Sequence, residues 1–140
     1  MRRRSVGHES KTIIVLDTAA FFVGLPLMLN TRFYTVPEVI REVKDEESKA
    51  KLELASLLER VEVIEAPSKR EVTEKLPRRL LVRLSETDIK LLALALKLAR
   101  EKQTVIVATD DYALQESCVV LGIDFIPVRT MGIKESCRRK

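Results

Sequence analysis

Hydrophobic residues along the chain follow two patterns, one typical of buried strands and the other typical of helices with one apolar face. Continuous β-branched and apolar runs, such as 12–16 and 104–108, indicate strands buried on both faces. Pro127 places the last strand at a sheet edge, because proline cannot donate a ladder hydrogen bond. The predicted strands are 12–16, 33–36, 61–65, 104–108 and 124–128. Since helices are predicted between them, we expect an α/β fold, a single-domain three-layer α/β/α sandwich with a central, mostly parallel sheet.

Proline and serine mark where the predicted helices begin. Pro37 suits the first turn of a helix, and the apolar positions extend that helix through Val43. Ser85, followed three residues later by Asp88, has the capping-box pattern and predicts a helix that continues to about Lys102. Further helices are predicted at 18–29, 47–60 and 112–121, with a weakly helical stretch at 67–80.

Positive charge is concentrated at both ends of the chain and in one internal segment. The 25 lysines and arginines outnumber the 21 aspartates and glutamates, which gives a net charge of +4. We expect a domain over residues 11–130, flanked by a flexible basic tail at 1–10 and a basic tail at 131–140. A basic surface suits a polyanionic partner such as a nucleic acid. The internal basic residues that we expect to contact the phosphates of a nucleic acid are Arg78, Arg79 and Arg83.

Several functional classes are disfavoured by composition. No apolar run approaches the roughly 20 residues that span a bilayer, and the basic start lacks a signal-peptide core, so we expect a cytoplasmic protein with no membrane partner. Two cysteines are too few for a disulfide framework, and one histidine leaves no zinc-ligand set. Cys118 lies in an apolar helical run and is expected to be a buried thiol. Aromatic residues make up 4% of the chain, so we expect little base stacking.

Two predicted strands each deliver an acidic residue to the same edge of the sheet. The first strand ends at Asp17, and the fourth ends at Asp110 and Asp111. In an open parallel sheet, ligands bind outside the carboxyl ends of the strands. A carboxylate in that position is partly desolvated and needs a partner, usually a cation.

Two predicted helices add acids near the same edge. Asp88 shares the apolar face of its helix, because the residues three, four and seven positions further on are apolar. Glu42 flanks the apolar stripe of its helix more closely than Glu38 does, and the two are one turn apart. Each acid also has a structural alternative, as a helix cap for Asp88, Asp110 and Asp111 and as a solvated helix flank for Glu42.

Clustered carboxylates repel one another unless cations are present, and hard oxygen ligands suit Mg²⁺ or Mn²⁺. We expect Asp17, Asp88 and Asp111 to hold one divalent metal, with Asp110 in support. Glu42 is expected to help hold a second metal or to orient a water. The chemistry predicted for such a cluster is metal-assisted hydrolysis of a phosphodiester.

The segments around these acids resemble the PIN-domain ribonuclease family. They are VLDTAAF at Asp17, YTVPEVIREV at Glu42, LSETDIKLLALA at Asp88 and TDDYALQ at Asp111, in the family's order and spacing across 12–130. The resemblance implies an α/β/α sandwich, Mg²⁺ or Mn²⁺ as cofactor, and these four acids as catalytic residues. Thr109 matches a small hydroxyl residue of the family, and Asp110 an additional acid of many archaeal members. The residues expected to support the acids are Thr18, Thr109 and Glu38.

Within the family, the segments are similar to the Nob-type endonucleases that trim the 3′ end of small-subunit ribosomal RNA. This similarity implies a metal-dependent endoribonuclease of rRNA maturation. Two departures concern the substrate rather than the acids. Nob-type proteins carry a zinc ribbon after the PIN domain, whereas only Cys137 lies beyond Met131 here, so the ribbon is lost, on another chain or outside this sequence. The stretch 78–84 also replaces a lysine-threonine-glycine-aspartate segment.

Two alternatives stay open at this point. A toxin ribonuclease of the VapC type shares the fold and the acids, and it would have an antitoxin partner and often forms a homodimer. The second alternative is a PIN-domain scaffold that binds RNA without cleaving it. All four acids are present, which favours catalysis over the scaffold.

Overall fold

The computed structural model describes residues 12–22, 31–44, 46–47, 49–50, 53, 59–101 and 103–129. The strands are β1 (Thr12–Leu16), β2 (Arg32–Thr35), β3 (Val61–Val63), β4 (Thr104–Ala108) and β5 (Asp124–Ile126). The helices are α1 (Thr18–Phe22), α2 (Pro37–Glu42), α3 (Arg70–Lys75), α4 (Arg78–Leu81), α5 (Glu86–Arg100) and α6 (Tyr112–Leu121).

The five strands form one sheet in the order β3–β2–β1–β4–β5, and every neighbouring pair is parallel. The predicted parallel sheet is therefore confirmed, with β5 at an edge as Pro127 indicated. At the centre, β1 pairs with β4 from Thr12 opposite Thr104 to Leu16 opposite Ala108. From these two strands the connections run in opposite directions across the sheet. Their carboxyl ends therefore meet at the topological switch point, where open α/β sheets bind ligands.

Helices cover the sheet and complete the layers predicted from the alternation of elements. α1 contacts α2, while α6 contacts α3, α4 and α5. Right-handed crossover connections place these two groups on opposite faces of the sheet. The buried residues Ile13–Leu16 of β1 and Leu91, Leu92 and Leu94 of α5 are part of one apolar core. The side chain of Cys118 is fully buried in α6, as expected from its apolar run.

Two of the differences from the predicted boundaries occur next to a proline. The weakly helical stretch 67–80 forms two short helices, α3 and α4, because Pro77 lacks an N–H and holds Leu76 in an extended conformation. β5 ends at Ile126, directly before Pro127, and β3 ends at Val63. α5 ends at Arg100, two residues earlier than predicted.

Some predictions concern residues that lie outside the described part of the chain. They are the tails 1–10 and 131–140, the second half of the helix predicted at 18–29, and most of the helix predicted at 47–60. Within the described residues, no helix combines the length and apolar character needed to cross a bilayer.

Candidate active site

A pocket of about 180 Å³ opens at the carboxyl ends of β1 and β4. The four acids identified in the sequence all line it, namely Asp17, Glu42, Asp88 and Asp111. We call it the acidic pocket. The other described residues of its lining are Thr18, Ala19, Val39, Thr87 and Leu91. Among these described residues none is basic, so no side chain of the lining offsets the four carboxylates.

Asp17 follows β1 directly and is held by short-range backbone contacts. Its Oδ1 accepts a hydrogen bond from the N–H of Ala20 at 3.3 Å. Burial raises the pKa of this carboxyl from 3.8 to about 6, opposed in part by a hydrogen bond from Thr109 and reinforced by the nearby charge of Asp88. The carboxylate is therefore costly to ionise where it stands unless a cation compensates for the lost solvation.

Thr109 connects the acids that follow the two central strands. Its fully buried hydroxyl accepts a hydrogen bond from the N–H of Asp111 at 3.1 Å and also bonds to Asp17. Its carbonyl accepts a hydrogen bond from Gln115 Nε2 at 2.8 Å, which fixes the turn between β4 and α6. Thr109 was expected to support the acids, and the structure places it between two of them.

Asp111 caps the N-terminus of α6, which was the structural alternative considered for it from the sequence. Its Oδ1 accepts the N–H of Leu114 at 3.1 Å, and its backbone is extended at the N-cap position. The cap orients the carboxyl group at the rim of the acidic pocket. The capping role and the place in the pocket are therefore compatible, because a carboxylate has several lone pairs.

Asp88 also serves both its helix and the acidic pocket. Its Oδ2 accepts the N–H of Ser85 at 2.9 Å, while its own N–H donates to Ser85 Oγ at 3.0 Å, which completes the capping box at the start of α5. Burial raises the pKa of Asp88, and the charges of Asp111 and Glu42 raise it further. Like charges lining one small pocket repel one another, which disfavours the charged form of each.

Glu42, the last residue of α2, is held by two threonines. Thr18 Oγ1 donates to Oε1 at 2.8 Å, and Thr87 Oγ1 donates to Oε2 at 2.9 Å. These bonds join α1, α2 and α5 at the acidic pocket. Thr18 was predicted to support the acids. Thr87 was missed, although its position four residues before the buried Leu91 places it on the same face of α5.

Two predicted residues do not reach the acidic pocket. Both carboxylate oxygens of Asp110 accept the N–H of Arg129, at 3.0 and 3.1 Å, so Asp110 faces a neighbouring depression instead. Glu38 binds Lys90 Nζ at 2.6 Å, and that hydrogen bond lowers its pKa. Because a backbone donor holds Asp110 and Lys90 holds Oε2 of Glu38, we leave both side chains out of the proposed metal ligands.

The predicted RNA-contacting arginines lie on and just after α4. Arg79 and Arg83 approach the carboxylate of Glu116 at 2.7 and 3.8 Å, so their charge is partly compensated, while Arg78 is exposed. Their contact with RNA stays a prediction. Elsewhere, Glu86 of α5 binds Lys69, whereas Lys90, one helical turn further along α5, binds Glu38 of α2.

Comparison with known proteins gives consistent results. The family described as the PIN domain of ribonuclease matches residues 14–98, more than half of the chain. Ribonuclease VapC3 of Aeropyrum pernix is 45% identical over 123 residues, which is 85% of this chain and 88% of that protein. Endoribonuclease Nob1 of Methanothermobacter thermautotrophicus is 37% identical over 125 residues, which is 87% of this chain and 72% of that protein.

A solved structure, PAE2754 from Pyrobaculum aerophilum, aligns with a TM-score of 0.49 and 16% identity over 90% of this chain and 98% of that chain. The comparisons confirm the resemblance to the PIN family, whereas they do not favour Nob-type proteins over VapC-type proteins. The family match and the sequence identities lead to one conclusion: this chain belongs to the PIN-domain ribonuclease family.

Proposed function

We propose that the protein is an endoribonuclease that hydrolyses RNA phosphodiester bonds with a divalent metal, Mg²⁺ or Mn²⁺, bound in the acidic pocket. The observation that carries the proposal is the composition of this pocket. Four carboxylates share about 180 Å³ at the switch point of the sheet, and no basic residue stands among its described lining. Such a group of like charges is stable as anions only when a cation joins it.

The chemistry of the donor set fits a hard divalent cation. All four candidate ligands offer carboxylate oxygens, which suit Mg²⁺ and Mn²⁺. Burial and mutual repulsion disfavour the charged forms of Asp17 and Asp88 and so raise their pKa values. A bound cation would compensate for both effects. Among the described residues, no three acidic, histidine or cysteine side chains are already arranged so that they could hold one metal ion together. Binding therefore requires side-chain rotation within the acidic pocket.

Asp17, Asp88 and Asp111 are the residues that we propose to hold the metal. A local backbone donor already holds each carboxyl group at the acidic pocket, from Ala20, Ser85 and Leu114 respectively. Only a small rotation of each side chain is therefore needed for binding. When bound, the metal would lower the pKa of a water and stabilise the charge that develops on the phosphate.

Glu42 has a different environment and therefore a different proposed role. Its two oxygens each accept one threonine hydroxyl, which leaves further lone pairs to accept a hydrogen bond from a water or to assist a second metal. A water oriented by Glu42 would attack phosphorus in line. The P–O bond to the water oxygen forms as the water loses a proton to the solvent, and the P–O3′ bond breaks as O3′ gains a proton. The products are a 3′-hydroxyl and a 5′-phosphate.

The first experiment compares cleavage of a generic single-stranded RNA by the wild type and by Asp17→Asn, with Mn²⁺ or with EDTA. Asp124→Asn is the matched control, because Asp124 is exposed at the opposite, amino end of β5. We expect cleavage by the wild type and the control only with metal, and a loss of more than about a hundredfold in Asp17→Asn. Cleavage unaffected by EDTA or by Asp17→Asn would refute the proposal. RNA binding without cleavage in any metal would favour the scaffold alternative.

The biological substrate has two candidates. Maturation of small-subunit rRNA is supported by the resemblance of the segments around Glu42 and Asp88 and by the identity with endoribonuclease Nob1. A toxin role with an antitoxin partner is supported by the higher identity with ribonuclease VapC3, over a larger share of that protein. Incubation with a precursor that spans the 3′ end of small-subunit rRNA separates them. One cut at the mature end favours maturation. Growth arrest on expression of the wild type, but not of Asp17→Asn, favours the toxin.

A further inference from the structure

A second depression lies beside the acidic pocket. It encloses about 240 Å³ and is lined by Asp110, Tyr112, Gln115, Pro127 and Arg129. Asp111 lines the acidic pocket, while its two chain neighbours line this second depression. The two cavities therefore flank Asp111, which places them within the reach of neighbouring nucleotides of one RNA strand.

Tyr112 gives this depression an aromatic surface that faces solvent. It is 79% exposed, although it belongs to a helix with a buried apolar face. Tyr34, by contrast, is 5% exposed and lies in the core. Among the aromatic residues whose side chains the structure describes, Tyr112 alone is exposed. An exposed ring next to a site for RNA chemistry is suited to stack on a base.

The charges of the depression balance one another. Asp110 accepts two hydrogen bonds from the backbone N–H of Arg129, and its Oδ2 lies 4.0 Å from Arg129 Nε. The Arg129 side chain is otherwise 80% exposed. Because the carboxylate and the guanidinium compensate each other, the depression has no excess positive charge for a second phosphate. It presents an aromatic face together with hydrogen-bond donors and acceptors, which match an uncharged base.

We propose that this depression binds the base of a nucleotide adjacent to the scissile phosphate, stacked on Tyr112 and contacted at its edge by Arg129 and Gln115. The inference rests on the proposed ribonuclease function and extends it to the recognition of the substrate. It agrees with the low aromatic content of the chain, since it requires one stacked base and no stacking platform.

Binding is measured by fluorescence anisotropy with a short labelled single-stranded RNA and Mg²⁺, using Asp17→Asn as the cleavage-deficient background. In this background we expect Tyr112→Ala to weaken binding roughly tenfold and Tyr112→Phe, which keeps the ring, to bind within about twofold of the parent. Because Tyr112 is largely exposed, neither change should alter folding, and circular dichroism checks this. Equal affinity of Tyr112→Ala and its parent would overturn the inference.

Abasic substitution identifies the stacked nucleotide. Removing bases one at a time from the RNA should reveal one position that reproduces the loss seen with Tyr112→Ala, and there Tyr112→Ala should cause no further loss. If Tyr112→Ala weakens abasic and intact RNA equally at every position, the side chain does not bind a base and the inference is wrong.

RNA cleavage with Mn²⁺ is assayed in parallel, with the Tyr112 variants made in the wild-type protein that retains Asp17. This assay distinguishes failure of the nuclease proposal from failure of the base-binding proposal. An inactive wild type that binds RNA through Tyr112 refutes the nuclease alone. An active wild type indifferent to Tyr112 refutes the base-binding depression alone. RNA that does not bind the parent at all refutes the depression.

Discussion

Glu42 shows how a single side chain is prepared for a role at the acidic pocket. It is exposed at the end of α2, where a glutamate is free to adopt many rotamers. Hydroxyl groups from α1 and α5 restrict it by donating to its two oxygens separately. Thr18 and Thr87 are therefore positioning residues, and their effect should appear in the reaction more than in stability.

Thr87→Val removes one of these donors at nearly constant volume. We expect cleavage in Mn²⁺ to decrease roughly tenfold, because a hydrogen bond to a charged group contributes about 1.5–3 kcal/mol and Thr18 still holds the other oxygen. The free energy of unfolding should change by less than about 1 kcal/mol, since water can reach the exposed Glu42. Thr87→Ser keeps the hydroxyl and should restore cleavage. Equal loss in both variants would indicate that packing, not hydrogen bonding, is responsible.

Cys118 is a residue whose chemistry is suppressed by its position. Its side chain is fully buried, and burial raises the pKa of the thiol to about 12. The thiolate is the reactive form, so this cysteine should be inert in the folded protein. In a Cys137→Ser variant, we expect Ellman's reagent to detect no thiol near neutral pH and one thiol after denaturation in urea. Rapid reaction under native conditions would show that the core opens at α6.

At the scale of elements, the start of α5 combines a structural and a functional task. The capping box that begins the helix also holds the Asp88 carboxyl group at the acidic pocket. The pattern of Ser85 and Asp88 was enough to predict the helix start. It could not show that the same carboxylate would lie near Glu42 and Asp111, because those residues come from distant parts of the chain.

Ser85→Ala should therefore affect both stability and activity. Loss of the Ser85 Oγ acceptor is expected to decrease the free energy of unfolding by about 1 kcal/mol. The Ser85 N–H still binds the Asp88 carboxylate, but the first turn of α5 that carries both groups becomes less ordered, so metal-dependent cleavage should fall severalfold. Ser68→Ala is the matched control, because Ser68 Oγ also accepts a backbone N–H, that of Arg70, but lies outside the acidic pocket. If both variants lose activity in proportion to stability, the cap has no separate role at Asp88.

At the scale of the whole molecule, the repulsion and burial of the clustered carboxylates should make the free energy of unfolding depend on pH. In the metal-free folded protein the pKa of Asp17 is about 6, above its ordinary 3.8, so the folded state binds this proton more tightly than the unfolded state does. The stability that this group contributes is full below about pH 4 and is lost as pH rises through 6, a change of up to about 3 kcal/mol. The pKa of Asp88 is raised as well, and its contribution has the same sign.

Urea unfolding in EDTA at a series of pH values measures this effect. We expect Asp17→Asn to be more stable than the wild type at pH 8, with a difference that shrinks toward pH 4, while the control Asp124→Asn follows the wild type. Added Mn²⁺ should stabilise the wild type at pH 8 more than Asp17→Asn. A constant difference across the pH range would contradict the assigned environment of Asp17.

The local elements of this protein follow from its sequence, because their signals lie within a few residues. The β-branched runs of β1 and β4 and the capping box of α5 each occupy one short segment, and each forms as predicted. The four acids could be named for the same reason, since strand ends and helix faces are local features and the family segments surround them.

Tertiary structure decided which of the candidate side chains share a site. Asp110 and Asp111 are adjacent in sequence, yet Arg129 turns one toward the second depression while the other lines the acidic pocket. Glu38 and Glu42 lie one helical turn apart, yet Lys90 binds the first and Thr87 the second. Their partners come from segments 19 to 52 positions away. No local pattern encodes such a pairing, because it depends on how the helices pack across the completed sheet.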